Sequence, residues 1–105
     1  MMTPVPASAK HLVEVLEGKE YQIPTHMHRG IVDYIAYGLC GNRSFMFSLL
    51  SNDLVGAFGK ADEKNVAKMR HWASFLYNEM PPIAWGSEEK VRAWIARGGI
   101  EGQSK

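Results

Sequence analysis

Apolar positions recur at steps of three and four along most of the chain, the spacing of one face of an α-helix. Leu12, Val13 and Leu16 fit a short first helix, with Ser8 placed to cap its start and Gly18 to end it in a left-handed conformation. Residues 19–24 read as an extended connector in which Tyr21 and Ile23 alternate, and six residues without a partner strand make no sheet. His28, Ile31, Val32, Ile35 and Leu39 predict a second helix, capped by Thr25 and running to about Leu39. A turn around Gly41-Asn42 follows. Ser44 caps a third helix, where Phe47, Leu50, Leu54 and Ala57 keep the rhythm to Phe58 and Gly59 ends it. Ser51-Asn52-Asp53 interrupts that run with residues that compete for backbone hydrogen bonds. Either one helix carries them on its polar face, or the helix breaks there and Asn52 caps a new one.

Asp62 opens the longest predicted helix, residues 62–80. Val66, Met69, Ala73, Leu76 and Met80 form its stripe, Trp72 and Phe75 widen it, and Pro81-Pro82 stop it. Ser87 caps a last helix with Val91, Trp94 and Ile95 on its inner face, closed by Gly98-Gly99. Residues 1–7 read as a loose leader and 100–105 as a frayed polar tail. The pattern predicts an all-α fold, a compact bundle of about five short-to-medium helices, in a single domain spanning 1–105.

Composition narrows the function classes. Twelve Lys and Arg against eleven Asp and Glu give a net charge of +1, which argues against a protein held to DNA by phosphate contacts. One cysteine builds neither a disulfide framework nor a thiolate cluster. No apolar run approaches the ~18 residues of a membrane helix, and the start lacks the pattern of a signal peptide. The expectation is a soluble intracellular protein with no membrane partner. Three Trp, four Tyr and four Phe are a large apolar load for 105 residues, so a homo-oligomer, most simply a dimer, is expected to share the burial.

Few positions suggest chemistry. His26 and His28 stand two apart, a spacing that points them to opposite sides of a helix, so no metal site is assigned. Cys40 lacks a neighbouring base and reads as a small core residue. Gly41-Asn42-Arg43-Ser44-Phe45 runs from a glycine turn into a helix start, where backbone amides and the Arg43 cation suit an anion. Asn52, Asp53, Asn65 and Asn78 are poor helix-interior choices. They read either as ties between helix ends or as the lining of a polar pocket, with Trp72, Tyr77 or Trp85 stacking nearby. The candidate ligand-binding set is Arg43, Ser44, Phe45, Asn52, Asp53, Tyr77, Asn78 and Trp85. No catalytic residue and no cofactor are assigned.

Several of these stretches form an ordered set: Leu50-Ser51-Asn52-Asp53-Leu54, Ala57-Phe58, Ala61-Asp62-Glu63-Lys64-Asn65, Phe75-Leu76-Tyr77-Asn78-Glu79 and Trp85-Gly86-Ser87. Over roughly residues 30–98 the chain resembles a family of small, largely uncharacterised phage and prophage proteins. Members of that family usually carry a Pro-Gly-Gly-Phe-like turn where this chain has Gly41-Asn42-Arg43-Ser44-Phe45. The missing glycine weakens a backbone-phosphate role for the turn. The resemblance implies a viral accessory protein working in the host cytoplasm, and it brings no established reaction. The first expected function is therefore a host-defence antagonist that binds a nucleotide-like small-molecule signal or a host protein. The second is a regulatory or structural phage protein acting through helix contacts. The third is a small hydrolase of a cyclic nucleotide, using His26, His28 or Asp53.

Overall fold

The computed structural model describes residues 7–18, 20–41 and 44–103. Apart from Ala7, the expected leader lies outside them, as does Asn42 of the expected turn. Eight α-helices are present among the described residues: α1 (Lys10–Glu17), α2 (His28–Tyr37), α3 (Phe45–Leu50), α4 (Leu54–Lys60), α5 (Glu63–Ala67), α6 (Met69–Glu79), α7 (Glu88–Arg97) and α8 (Gly99–Gln103). Five of them have seven residues or more, and no strand occurs among the described residues. The Cα radius of gyration, 12.9 Å, is that of a folded chain of this length, about 13 Å.

The core is largely aromatic. Trp72, Phe75 and Tyr34 are fully buried, and Trp72 makes T-shaped contacts with Phe45 at 5.6 Å and Phe75 at 6.3 Å between ring centroids. Polar ends of these rings find partners, as buried aromatics require. Trp94 Nε1–H donates to the Tyr34 carbonyl at 2.8 Å, and the Tyr34 hydroxyl donates to the Ala84 carbonyl. The aromatic load thus goes mostly inward within one chain. Among the Tyr, Phe and Trp side chains, only Phe58 and Tyr77 stand exposed.

The element boundaries correct the sequence reading in five places. Ala9, which makes no side-chain cap, stands at the start of α1 after a 3₁₀ turn, and Gly18 stays right-handed at φ −71°. Thr25 opens a 3₁₀ turn, so α2 starts at His28 and ends at Tyr37, where Gly38 takes φ +71°. The third predicted helix breaks into α3 and α4, and Asp53 rather than Asn52 caps the second piece. The long helix over 62–80 also breaks: Lys68, at φ −113° and ψ 16°, separates α5 from α6. The turn there re-aims α5, so Val66 is 44% exposed and Asn65 takes the inward position. Finally, the expected tail begins as α8. Its first residue, Gly99, is so close to α2 that a Cβ there would sit 2.6 Å from the Ala36 carbonyl carbon and the Tyr37 nitrogen. That contact needs glycine, and it turns a polar segment into a packed helix.

Candidate functional site

The α3–α4 corner is built by local chemistry. Asn52 N–H donates to the Leu49 carbonyl at 3.1 Å and Asp53 N–H to that of Ser48 at 2.9 Å, closing the end of α3. This closure puts Asn52 at φ +64°, a left-handed conformation that Asn tolerates better than most side chains. Asp53 Oδ1 then accepts from Gly56 N–H at 3.0 Å and starts α4. The Asn52 side chain has no hydrogen-bond partner among the described residues.

A second local device brings Trp85 to this corner. Pro81 and Pro82 end α6 and lead into a 3₁₀ turn, Pro82–Ala84. Gly86, at φ +113°, donates its N–H to the Leu50 carbonyl at 2.7 Å and ties the turn to the end of α3. Trp85 is held half-buried next to that tie.

Between α4 and α6 lies a groove of about 540 Å³. One wall carries Leu54 and Phe58, the other Met69, Arg70 and Tyr77, with Ala57, Ala73 and Leu76 between. Asn52, Asp53 and Trp85 line it too, where the α3–α4 corner meets the turn after α6. The lining is mostly apolar with a few polar groups, the usual make-up of a small-molecule pocket, and the volume is within the ~300–1,000 Å³ range of such sites. Leu54 is 64% exposed, Phe58 46% and Tyr77 80%, so both walls present open apolar surface.

The structure therefore brings together four of the eight candidate residues: Asn52, Asp53, Tyr77 and Trp85. Arg43 lies outside the described residues. Ser44 is committed to capping α3, accepting from Phe47 N–H at 3.0 Å and donating to the Gly41 carbonyl at 2.7 Å. Phe45 is buried against Trp72. Asn78 is exposed and donates to the Ser74 carbonyl one turn back, at 2.9 Å, and it does not line the groove. Leu54, Phe58, Met69 and Arg70 are groove residues that sequence reasoning did not select. The apolar rhythm, unbroken through 58, places the first two in the core. The cap at Asp53 restarts the helix in a new phase and turns them outward.

The candidate hydrolytic groups stand apart. His26 Nε2 lies 2.9 Å from Asp62 Oδ2, His28 Nε2 lies 2.9 Å from the Ile23 carbonyl oxygen, and Asp53 caps α4. They line three different clefts. Groups with displaced acidities also lie off the groove. The Glu79 carboxylate, which accepts from the Tyr21 phenol, pushes that phenol up to about 12. Burial raises Tyr34 and also Cys40. The Asn65 backbone N–H, with a smaller contribution from His26, holds the Asp62 carboxyl below its ordinary value. No helix among the described residues is long and apolar enough to cross a membrane. In comparisons with known proteins, no family model, curated protein or solved structure matched the chain.

Proposed function

We propose that this is a non-catalytic binding protein that takes a nucleotide-like small molecule in the α4–α6 groove. The observation that carries the reading is Asn52. Its backbone is held left-handed by the α3–α4 corner, and its amide, without a hydrogen-bond partner among the described residues, shares the groove lining with Tyr77 and Trp85. An amide offers paired donors and acceptors to a base edge, and the two aromatics offer faces for stacking. Arg70 on the same lining supplies a cation for an anionic group. The resemblance to phage and prophage proteins supports an activity in a host cell, where sequestering a signalling nucleotide would antagonise defence.

The test is calorimetric titration with a panel of nucleotides. Tyr77→Ala should weaken binding about 5- to 150-fold, because stacking on an aromatic is worth ~1–3 kcal/mol per base. Its melting temperature should stay at the parent value, since the ring is 80% exposed. Failure of every nucleotide to bind, or equal binding by the Tyr77→Ala variant, would defeat the reading.

One observation favours a second reading, a protein contact. α4 buries only Ala57 and leaves Leu54, Val55 and Phe58 outward, Val55 at 82% exposure. Such a face suits helix-to-helix docking with a host protein or a second copy of the chain. Val55 does not line the groove. Val55→Glu should therefore abolish a protein contact and leave nucleotide binding intact.

A further inference from the structure

The groove does not stop at Trp85. A second cavity of about 340 Å³ lies on the side of Met80, Pro82, Gly86 and Lys90, and it shares Asn52, Tyr77 and Trp85 with the groove. These three residues form the common boundary of the two compartments. Each compartment alone has the volume of a site for one small-molecule unit, ~300–1,000 Å³. Each also carries its own cation: Arg70 in the groove and Lys90 in the second cavity. Neither cation has an ion-pair or hydrogen-bond partner for its side chain among the described residues. The Lys90 chain folds back over Gly86, with its Nζ 3.9 Å from the position a Cβ would take there. Among the described residues, the second cavity has no carboxylate in its lining, and the groove has one, Asp53, which holds the Gly56 N–H with its Oδ1.

We infer that the two compartments together bind a dinucleotide, one nucleotide unit on each side of the Asn52–Tyr77–Trp85 boundary, with Arg70 and Lys90 each facing a phosphate. The inference rests on the nucleotide reading of the groove and extends it to a ligand with two bases and two separated anionic groups. Two aromatics at one boundary provide stacking to both units, and the paired cations match the charge of two phosphates better than that of one. A mononucleotide fills one compartment and leaves the other cation unused.

Calorimetry with mononucleotides and with linear and 3′,5′-cyclic dinucleotides tests this on the parent protein, Arg70→Met and Lys90→Met. Dinucleotides should bind at least about tenfold tighter than the matching mononucleotides, because the second unit binds intramolecularly. Lys90→Met should cost the dinucleotide about tenfold while leaving the mononucleotide unchanged, and Arg70→Met should weaken both. Both side chains are exposed, so melting temperatures should match the parent. Equal affinity for mono- and dinucleotides, or indifference of the dinucleotide to Lys90→Met, overturns the two-compartment site and leaves the groove reading standing. Absence of any nucleotide binding overturns both.

Discussion

Inside the core, Asn65 Oδ1 accepts from the Trp72 indole N–H at 3.0 Å, and both side chains are almost wholly buried. Truncating the amide strands the indole donor away from water, and an unsatisfied buried donor costs about 1–3 kcal/mol. Asn65→Ala should lower the unfolding free energy by that amount and bring the urea midpoint down with it, read by tryptophan fluorescence, and an unchanged midpoint would show that this bond does not hold the core together. The sequence marks Asn65 as out of place in a helix but does not show which way it points. That direction depends on the break at Lys68, where neither glycine nor proline stands. Asn52 and Asp53 are a similar case. Their chemistry is legible as turn-forming, yet the choice of Asp53 as cap depends on the carbonyls of Leu49 and Ser48 taking the two preceding amides. Tyr77 and Trp85 are legible as stacking residues from their types and their position beside the prolines. Arg70 is not legible in the same way, because a cation on an amphipathic helix carries no sign of the groove it borders.

At the scale of the element, α4 is the weakest helix to account for locally. It contains Gly56 and Gly59 in seven residues, buries one alanine, and relies on Asp53 at its start. A Cβ at Gly59 would meet nothing within 4 Å, and its φ is not positive. Gly59→Ala should therefore stabilise the protein by about 0.5–1 kcal/mol, by reducing the freedom of the unfolded chain. Gly56→Ala should not. Its Cβ would fall 2.1 Å from Asp53 Oδ2, so the capping carboxylate has to move and its bond to the Gly56 amide is disturbed. A thermal melt of the two variants separates these outcomes, with Gly59→Ala above the parent and Gly56→Ala at or below it. The same element shows why helix content was easier to read than helix continuity. Steps of three and four persist across a break whenever a cap restarts the next helix, so Leu50, Leu54 and Ala57 look like one stripe. In the fold, Leu50 and Ala57 go inward and Leu54 faces solvent.

Across the whole molecule, distant segments are joined by contacts that no local pattern announces. The all-α class follows from periodicity, but the docking of α8 on the end of α2 follows from glycine at position 99. The join from the α1–α2 connector to the end of α6 follows from one phenol. Tyr21 packs edge-on against Phe75, with ring centroids 5.6 Å apart, and its hydroxyl donates to Glu79 Oε2 at 2.7 Å. Only the neutral phenol can donate this bond, and the facing carboxylate opposes ionisation, so the folded-state value rises from 10.0 to about 12. A folded-state value above the unfolded one means that the fold binds this proton more tightly. The resulting stabilisation is complete below about pH 10 and disappears as the pH climbs towards 12. Tyr34 is raised in the same direction by burial, so the parent curve alone does not isolate Tyr21. The difference between parent and Tyr21→Phe does. Tyr21→Phe keeps the ring against Phe75 and deletes only the hydroxyl, so the variant should be less stable by a constant amount from pH 7 to about pH 9. That gap should close between about pH 10 and 12, as the parent phenol ionises against Glu79. Urea unfolding of both proteins across this range reads the gap directly, and a difference that stays constant to pH 12 would show that the phenol does not join the connector to α6.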